Sequence, residues 1–158
     1  TYKRKDWYAL QAKRYYIADS FDFQIESVGV YSNLEIMQKA CDILIKKLNK
    51  IISMCDAENL ELNKQSTAVK NCVEVTLKGE DYTIGKIIEY ILHYDYYLHD
   101  KQLSYVGFVK KHPHDNDSII RMAFVNKENF TDLNIFAMIK FACSSGINIY
   151  KEIRESFV

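Results

Sequence analysis

Two stretches of this chain carry the same order of signals, and that repetition limits the folds open to it. In FDFQIESVGVYSNLEIMQKACDIL, residues 21–44, apolar residues first alternate and then fall on a helical stripe. CVEVTLKGEDYTIGKIIEYIL, residues 72–92, does the same. A period of two is a half-buried strand, and a period near 3.6 is an amphipathic helix. In the first stretch Phe21, Phe23 and Ile25 face one way while Asp22, Gln24 and Glu26 face the other, so a strand is expected over 21–29. In the second, Val73, Val75 and Leu77 point inward. Each strand runs into a short acidic or glycine-containing corner and then a helix. Neither unit can bury its helix alone. Two units side by side predict an α+β fold, an antiparallel sheet packed against long helices with a pseudo-two-fold arrangement.

The first helix is expected over 32–55. Ser32 can cap it, Glu35 can reciprocate, and Tyr31 and Ile36 are spaced for a hydrophobic staple. Its stripe of Leu34, Met37, Cys41, Leu44, Leu48, Ile51 and Cys55 is widened by Ile36, Ala40 and Ile43. That face is broader than one sheet contact requires, so part of it should meet another helix. DAENLELNKQSTAVKN, residues 56–71, is polar and turn-rich and reads as a linker. Beyond it, strands are expected over 72–79, 103–109 and 118–125, with a turn at KKHPHDND, residues 110–117. A last helix follows, for which Asn126 is the candidate cap, with a stripe through Phe136, Ile139, Cys143, Ile147, Tyr150, Ile153 and Phe157. Gly146 falls inside it, which either a close helix crossing or a break would explain. The expected organisation is therefore 1–55, a linker at 56–71, and a domain at 72–158.

Composition narrows the function. Lysine plus arginine equals aspartate plus glutamate, 21 each, in 158 residues. A free-standing nucleic-acid binder is usually basic, and this chain is not. The start, TYKRKDWYALQAKRYYIA, is nevertheless basic and aromatic. It reads either as a nucleic-acid arm with stacking rings or as a lead-in whose rings pack on a surface. Cys41, Cys55, Cys72 and Cys143 form no CxxC pair, so reduced thiols acting as small hydrophobes of an intracellular protein are expected. No signal peptide is expected from these residues, and they contain no run of 18 apolar residues. The chain opens on Thr1, which suggests a processed or incomplete product.

The search for chemistry finds no catalytic constellation. His112, His114, Asp115 and Asp117 share one turn, whereas structural metal sites usually gather ligands from separated positions. No nucleophile motif and no phosphate-binding glycine loop occurs. Glu80 and Asp81 are adjacent rather than disposed across a cleft. No cofactor and no metal are expected. Twelve tyrosines suit an interface, where rings pack and hydroxyls reach polar partners. At the second corner, Glu80, Asp81 and Thr83 are expected to fix the turn, while Gly85 lets a neighbouring surface approach the first helical turn.

These residues carry a resemblance. EDYTIGKIIEYIL, followed by LSYVGFVKKHPHDNDSIIRMAF, resembles the small-subunit signature of multisubunit RNA polymerases. Glu80, Asp81, Thr83 and Gly85 match its acidic-aromatic-threonine-glycine corner. Val106, Gly107 and Phe108 match its strand, His112 and Pro113 its turn, and Ile120 and Arg121 its last strand. Three positions depart from the pattern: Tyr82 stands where histidine is frequent, Lys86 where asparagine is, and Phe108 where tyrosine is commoner. The earlier half is similar to the end of the partner subunit, with Phe21, Phe23, Glu26, Ser27, Val28 and Gly29 at the matching positions of an F-x-F-x-x-ESVG strand.

The resemblance implies a third-largest-type subunit terminus fused to an eleventh-type subunit, both related to the bacterial alpha amino-terminal domain, as in large DNA viruses. It also implies a non-catalytic role: a platform for the two large catalytic subunits, with small zinc-bearing subunits nearby and DNA reached only through the complex. The implied location is a cytoplasmic viral factory or virion for a viral protein, or the nucleus for a cellular one. Nothing before Asp6 matches the amino-terminal strands or the inserted domain of the larger partner. The expectation is thus the carboxy-terminal part of a longer fusion, or one product of a split gene, joined in the assembly by the remaining third-subunit-like portion. A stand-alone nucleic-acid-binding or regulatory module is the alternative.

Overall fold

A computed structural model describes residues 2–16, 19–64 and 69–157. The chain divides into two units, one up to Asn33 and one from Leu34. In the first unit, helix α1 (Tyr2–Asp6) continues through a π-helical stretch at Trp7–Gln11 and a 3-10 turn at Ala12–Arg14. None of these residues is buried.

The strand expected over 21–29 is absent: residues 21–28 have no regular structure, and Phe21 and Phe23 are 71% and 79% exposed. The described residues of this unit include no other strand, so its backbone groups have no ladder to join. Order returns at the end of the segment. The Ser27 hydroxyl donates to the Tyr31 carbonyl and accepts from the Gly29 amide, and Asn33 Nδ2 donates to the Ile25 carbonyl at 2.9 Å. Gly29 has φ +96°, a left-handed conformation that suits glycine.

The second unit is α+β. Helix α2 (Asn33–Asp56) begins at the boundary and buries Cys41, Leu48, Ile51 and Cys55. The polar segment beyond it is more than a linker. Leu60 is buried, and Glu61–Asn63 form a short strand β1. Polar composition concealed this strand because only Leu60 and Leu62 are needed to anchor three residues. Strands β2 (Cys72–Leu77), β3 (Leu103–Val109) and β4 (Ser118–Phe124) complete an antiparallel sheet in the order β1-β2-β4-β3. Between β2 and β3 lies helix α3 (Tyr82–Leu92), continued by a π-helical stretch at His93–His99.

Helix α4 (Asp132–Glu155) closes the chain. It does not start from Asn126. A 3-10 turn at Lys127–Asn129 intervenes, and Thr131 caps α4 by accepting from the Asn134 amide at 3.3 Å. Both residues are good caps by type. Phe130 decides between them by packing on Phe124, with ring centroids 5.6 Å apart and planes at 51°, which holds the chain against the sheet until residue 130.

Alternation gives the sheet a core face of Val73, Val75, Leu77, Ile120, Met122 and Phe124, all buried. Helix α3 covers it with Ile84, Ile88, Ile91 and Leu92, and α4 with Ile135, Met138, Ile139 and Cys143. Helices α2 and α4 pair in antiparallel order. Arg154 Nε meets Asp42 at 2.7 Å and Lys140 Nζ meets Asp56 at 2.9 Å. Between these ion pairs lies Gly146, where a methyl group would stand 3.2 Å from Leu48 Cδ1 and 3.2 Å from Ile87 Cγ2. Helix α4 runs unbroken through it, so Gly146 marks a close crossing rather than a break. No helix among the described residues is long and apolar enough to cross a membrane.

Candidate functional site

The corner between β2 and α3 gathers most of the second-half candidate residues. Gly79 turns the chain with φ +69°, and its amide donates to Asp117 Oδ1 at 2.9 Å, tying this corner to the 110–117 turn. Asp81 is the cap of α3: its Oδ1 accepts from the Thr83 amide at 3.1 Å, and its backbone carbonyl accepts from the Gly85 amide at 2.9 Å. The bond from Thr83 holds the Asp81 carboxyl below its ordinary pKa. Glu80 turns the other way. It is 6% exposed, and its carboxylate meets Lys47 Nζ of α2 at 2.7 Å. One acid therefore caps α3 and its neighbour binds α2 to the corner.

Gly85 admits a neighbouring surface, and that surface is Phe108 of β3. A Cβ at Gly85 would lie 2.0 Å from a ring carbon of Phe108. One helical turn further on, Glu89 Oε1 accepts from the Phe108 amide at 3.0 Å. That amide points away from β4, so Glu89 satisfies a donor on the open edge of the sheet. Tyr82 and Lys86 complete the surround, with the Tyr82 ring centroid 5.0 Å and Lys86 Nζ 5.7 Å from the Phe108 ring centroid.

The far face of the sheet holds the second group. Gly107, Arg121, Glu74 and Asn63 lie in one row across β3, β4, β2 and β1. Arg121 donates through Nε and Nη2 to Glu74 Oε1 at 3.1 and 2.5 Å. This bond raises the Arg121 pKa further. Gly107 leaves room for Tyr105: a Cβ there would stand 2.4 Å from the Tyr105 hydroxyl.

Other candidates stand apart. His112 and Pro113 lie in an exposed turn, where His112 Nδ1 accepts from the His114 amide at 3.2 Å. Among the described residues no group of three histidine, cysteine, aspartate or glutamate side chains is disposed to hold a metal. Phe21, Phe23, Glu26 and Gly29 belong to the first unit. All four cysteines are free and buried. Burial pushes the thiols of Cys55 and Cys143 up to about 11 and about 12, so neither is a nucleophile at neutral pH.

The second unit also presents apolar surface. Ile87, Tyr90, Ile91, Gly146, Ile149 and Ile153 line a groove of about 280 Å³ between α3 and α4. Tyr90 stacks on Tyr94 beside it, and both rings are exposed. Sequence reasoning missed Lys47, Glu74 and Glu89. Glu89 had a signal, because it lies four residues after Gly85 and so on the same helical face. Lys47 and Glu74 had none, since their partners are set by helix placement and strand register.

No protein-family profile matches the chain, and no curated protein matches it either.

Proposed function

We propose that this chain is a non-catalytic structural subunit of a multisubunit DNA-directed RNA polymerase, forming an alpha-like platform on which the two large catalytic subunits assemble. The observation that carries the reading is the seating of Phe108 on Gly85. These two positions belong to separate pieces of the signature, 23 residues apart, yet they meet in one contact. The three departures from the pattern fall in one contact group, with Tyr82 and Lys86 both lying against Phe108.

Two further features favour an assembly role. The antiparallel pairing of α2 with α4 joins the helix of the first half to the last helix of the second, as packing of the two halves in one chain requires. Exposed tyrosines and an apolar groove suit protein partners. In this reading the 21–28 segment takes its strand partner from a third-subunit-like chain, and small zinc-bearing subunits complete the assembly.

Affinity capture of the tagged chain from its native source, followed by mass spectrometry and sizing, tests the proposal. The expected result is stoichiometric recovery of two very large catalytic chains and DNA-templated nucleotide addition in the captured complex. Gly85→Leu should lower incorporation while leaving nucleotide addition per assembled enzyme unchanged. A chain recovered without large subunits would overturn the proposal, and normal incorporation with slowed nucleotide addition would overturn the purely structural role.

A further inference from the structure

The neutral total charge conceals a strong separation. Residues 1–16 carry five cations, Lys3, Arg4, Lys5, Lys13 and Arg14, against the single acid Asp6. The remaining 142 residues hold 16 basic and 20 acidic side chains, so the surplus of four positive charges at the start is offset everywhere else. Such an asymmetry marks a segment suited to a polyanion.

The aromatic side chains in this segment are organised. Trp7 stands edge-on to Tyr8, with centroids 5.2 Å apart and planes at 81°. It also stacks with Tyr15, with centroids 6.1 Å apart and planes at 30°. Arg4 lies over the Tyr8 ring, its guanidinium carbon 5.8 Å from the centroid. The π-helical stretch at Trp7–Gln11 and the 3-10 turn after it carry the chain round so that Trp7 and Tyr15 meet. The cluster is nonetheless open, with Trp7 43% and Tyr15 75% exposed. Rings held by one another, with their outer faces in water and cations at both ends, form a pre-ordered stacking platform.

We propose that residues 2–16 bind single-stranded nucleic acid, bases stacking on the Trp7–Tyr15 cluster and phosphates meeting the flanking lysines and arginines. Three other partners share an attraction to cations: duplex nucleic acid, an anionic membrane and an acidic protein surface. A duplex buries its base faces and offers nothing to stack on. An anionic membrane surface also takes up tryptophan and tyrosine, but along the apolar face of a long amphipathic helix, whereas Trp7 and Tyr15 lie beyond a five-residue helix and are brought together by the turns that follow it. An acidic protein surface can use both the charges and the rings, and the titration below separates it from single strands. Stacking tolerates any base, so little sequence preference is expected. The inference rests on this segment alone and stands or falls independently of the polymerase reading.

Trp7 is the single tryptophan of the chain, so its fluorescence reports on the site directly. The whole chain is titrated with short oligouridylate, oligodeoxythymidylate, duplex of the same length, polyglutamate, and phosphatidylserine vesicles. The expected result is quenching of Trp7 by single strands, with the two oligonucleotides distinguishing RNA from DNA as the tighter ligand. Affinity should fall with salt at a logarithmic slope of about −0.7 for each phosphate engaged. Lys3→Ala, Arg4→Ala and Lys5→Ala together should flatten that slope. Trp7→Ala, followed by oligonucleotide anisotropy, should weaken binding roughly 5- to 150-fold with the slope kept, and Trp7→Phe should restore most of the loss. Equal affinity for duplex, binding to polyglutamate or vesicles in place of single strands, or undiminished binding by the triple variant would each overturn the assignment.

Discussion

Residues 21–28 and residues 72–77 begin from the same pattern and end in different states. Both alternate apolar and polar side chains. In β2 the apolar set, Val73, Val75 and Leu77, is buried, and the strand pairs on both sides. In 21–28 the apolar set includes exposed Phe21 and Phe23, and no strand forms. The difference is supply of neighbours. Alternation prepares a strand to bury one face, but its amides and carbonyls need a ladder on at least one edge. β2 has β1 and β4. The earlier segment has no strand partner among the described residues of its own unit. Hydrophobic pattern is therefore a condition for a strand and not a cause of one.

The comparison can be broken most directly in the core of the second unit. Leu48 is fully buried where α2 passes Gly146. Leu48→Ala removes that packing and should cost about 2–5 kcal/mol, read as a lower urea midpoint by circular dichroism. A loss under about 0.5 kcal/mol would mean that α2 is not packed into this core.

Gly85→Leu is next. The Phe108 ring occupies the space a side chain needs, so overpacking should cost about 1–3 kcal/mol, despite the better helix propensity of leucine. Phe108→Ala in the same background should recover part of the loss, and the double-mutant cycle measures the coupling. Additive losses would show that the corner is not closed by Phe108.

A smaller effect comes from the cap. Asp81→Ala should cost about 1 kcal/mol near neutral pH. The folded pKa of Asp81 is depressed by the Thr83 amide, so its contribution is present above the unfolded carboxylate value and lost as pH falls through the folded one. The gap between wild type and variant should therefore close below about pH 4. A gap that stayed constant down to the acid transition would remove the carboxylate from the cap.

The smallest effect sharpens the contrast. Phe21→Ala and Phe23→Ala should each change the stability of the isolated chain by less than about 0.5 kcal/mol, as exposed side chains do. In the proposed assembly the same substitutions should impair incorporation, because the segment would then have a strand partner. Destabilisation of the isolated chain by 2 kcal/mol or more, on the scale of a buried phenylalanine, would show that these rings are already buried in solution.

Much of the fold was legible in the residues because the signals were local. The stripes of α2 and α4, the alternation in β2 and β4, and the capping acid and helix-opening run of α3 are set within a few turns or strand residues by backbone geometry. Gly85 announced a close approach through its lack of a side chain at a helix start. Tertiary structure decided what lay at a distance. It chose Phe108 as the group that approaches Gly85, Lys47 as the partner of Glu80, and Glu74 as the partner of Arg121. It drew Leu60 and β1 out of a polar segment and moved the α4 cap from Asn126 to Thr131. It also left Phe21 and Phe23 without a ladder. The local pattern states which surfaces a segment must bury, but the partner that buries them is chosen by register, helix crossing and available edges, and these exist only once the rest of the chain is in place.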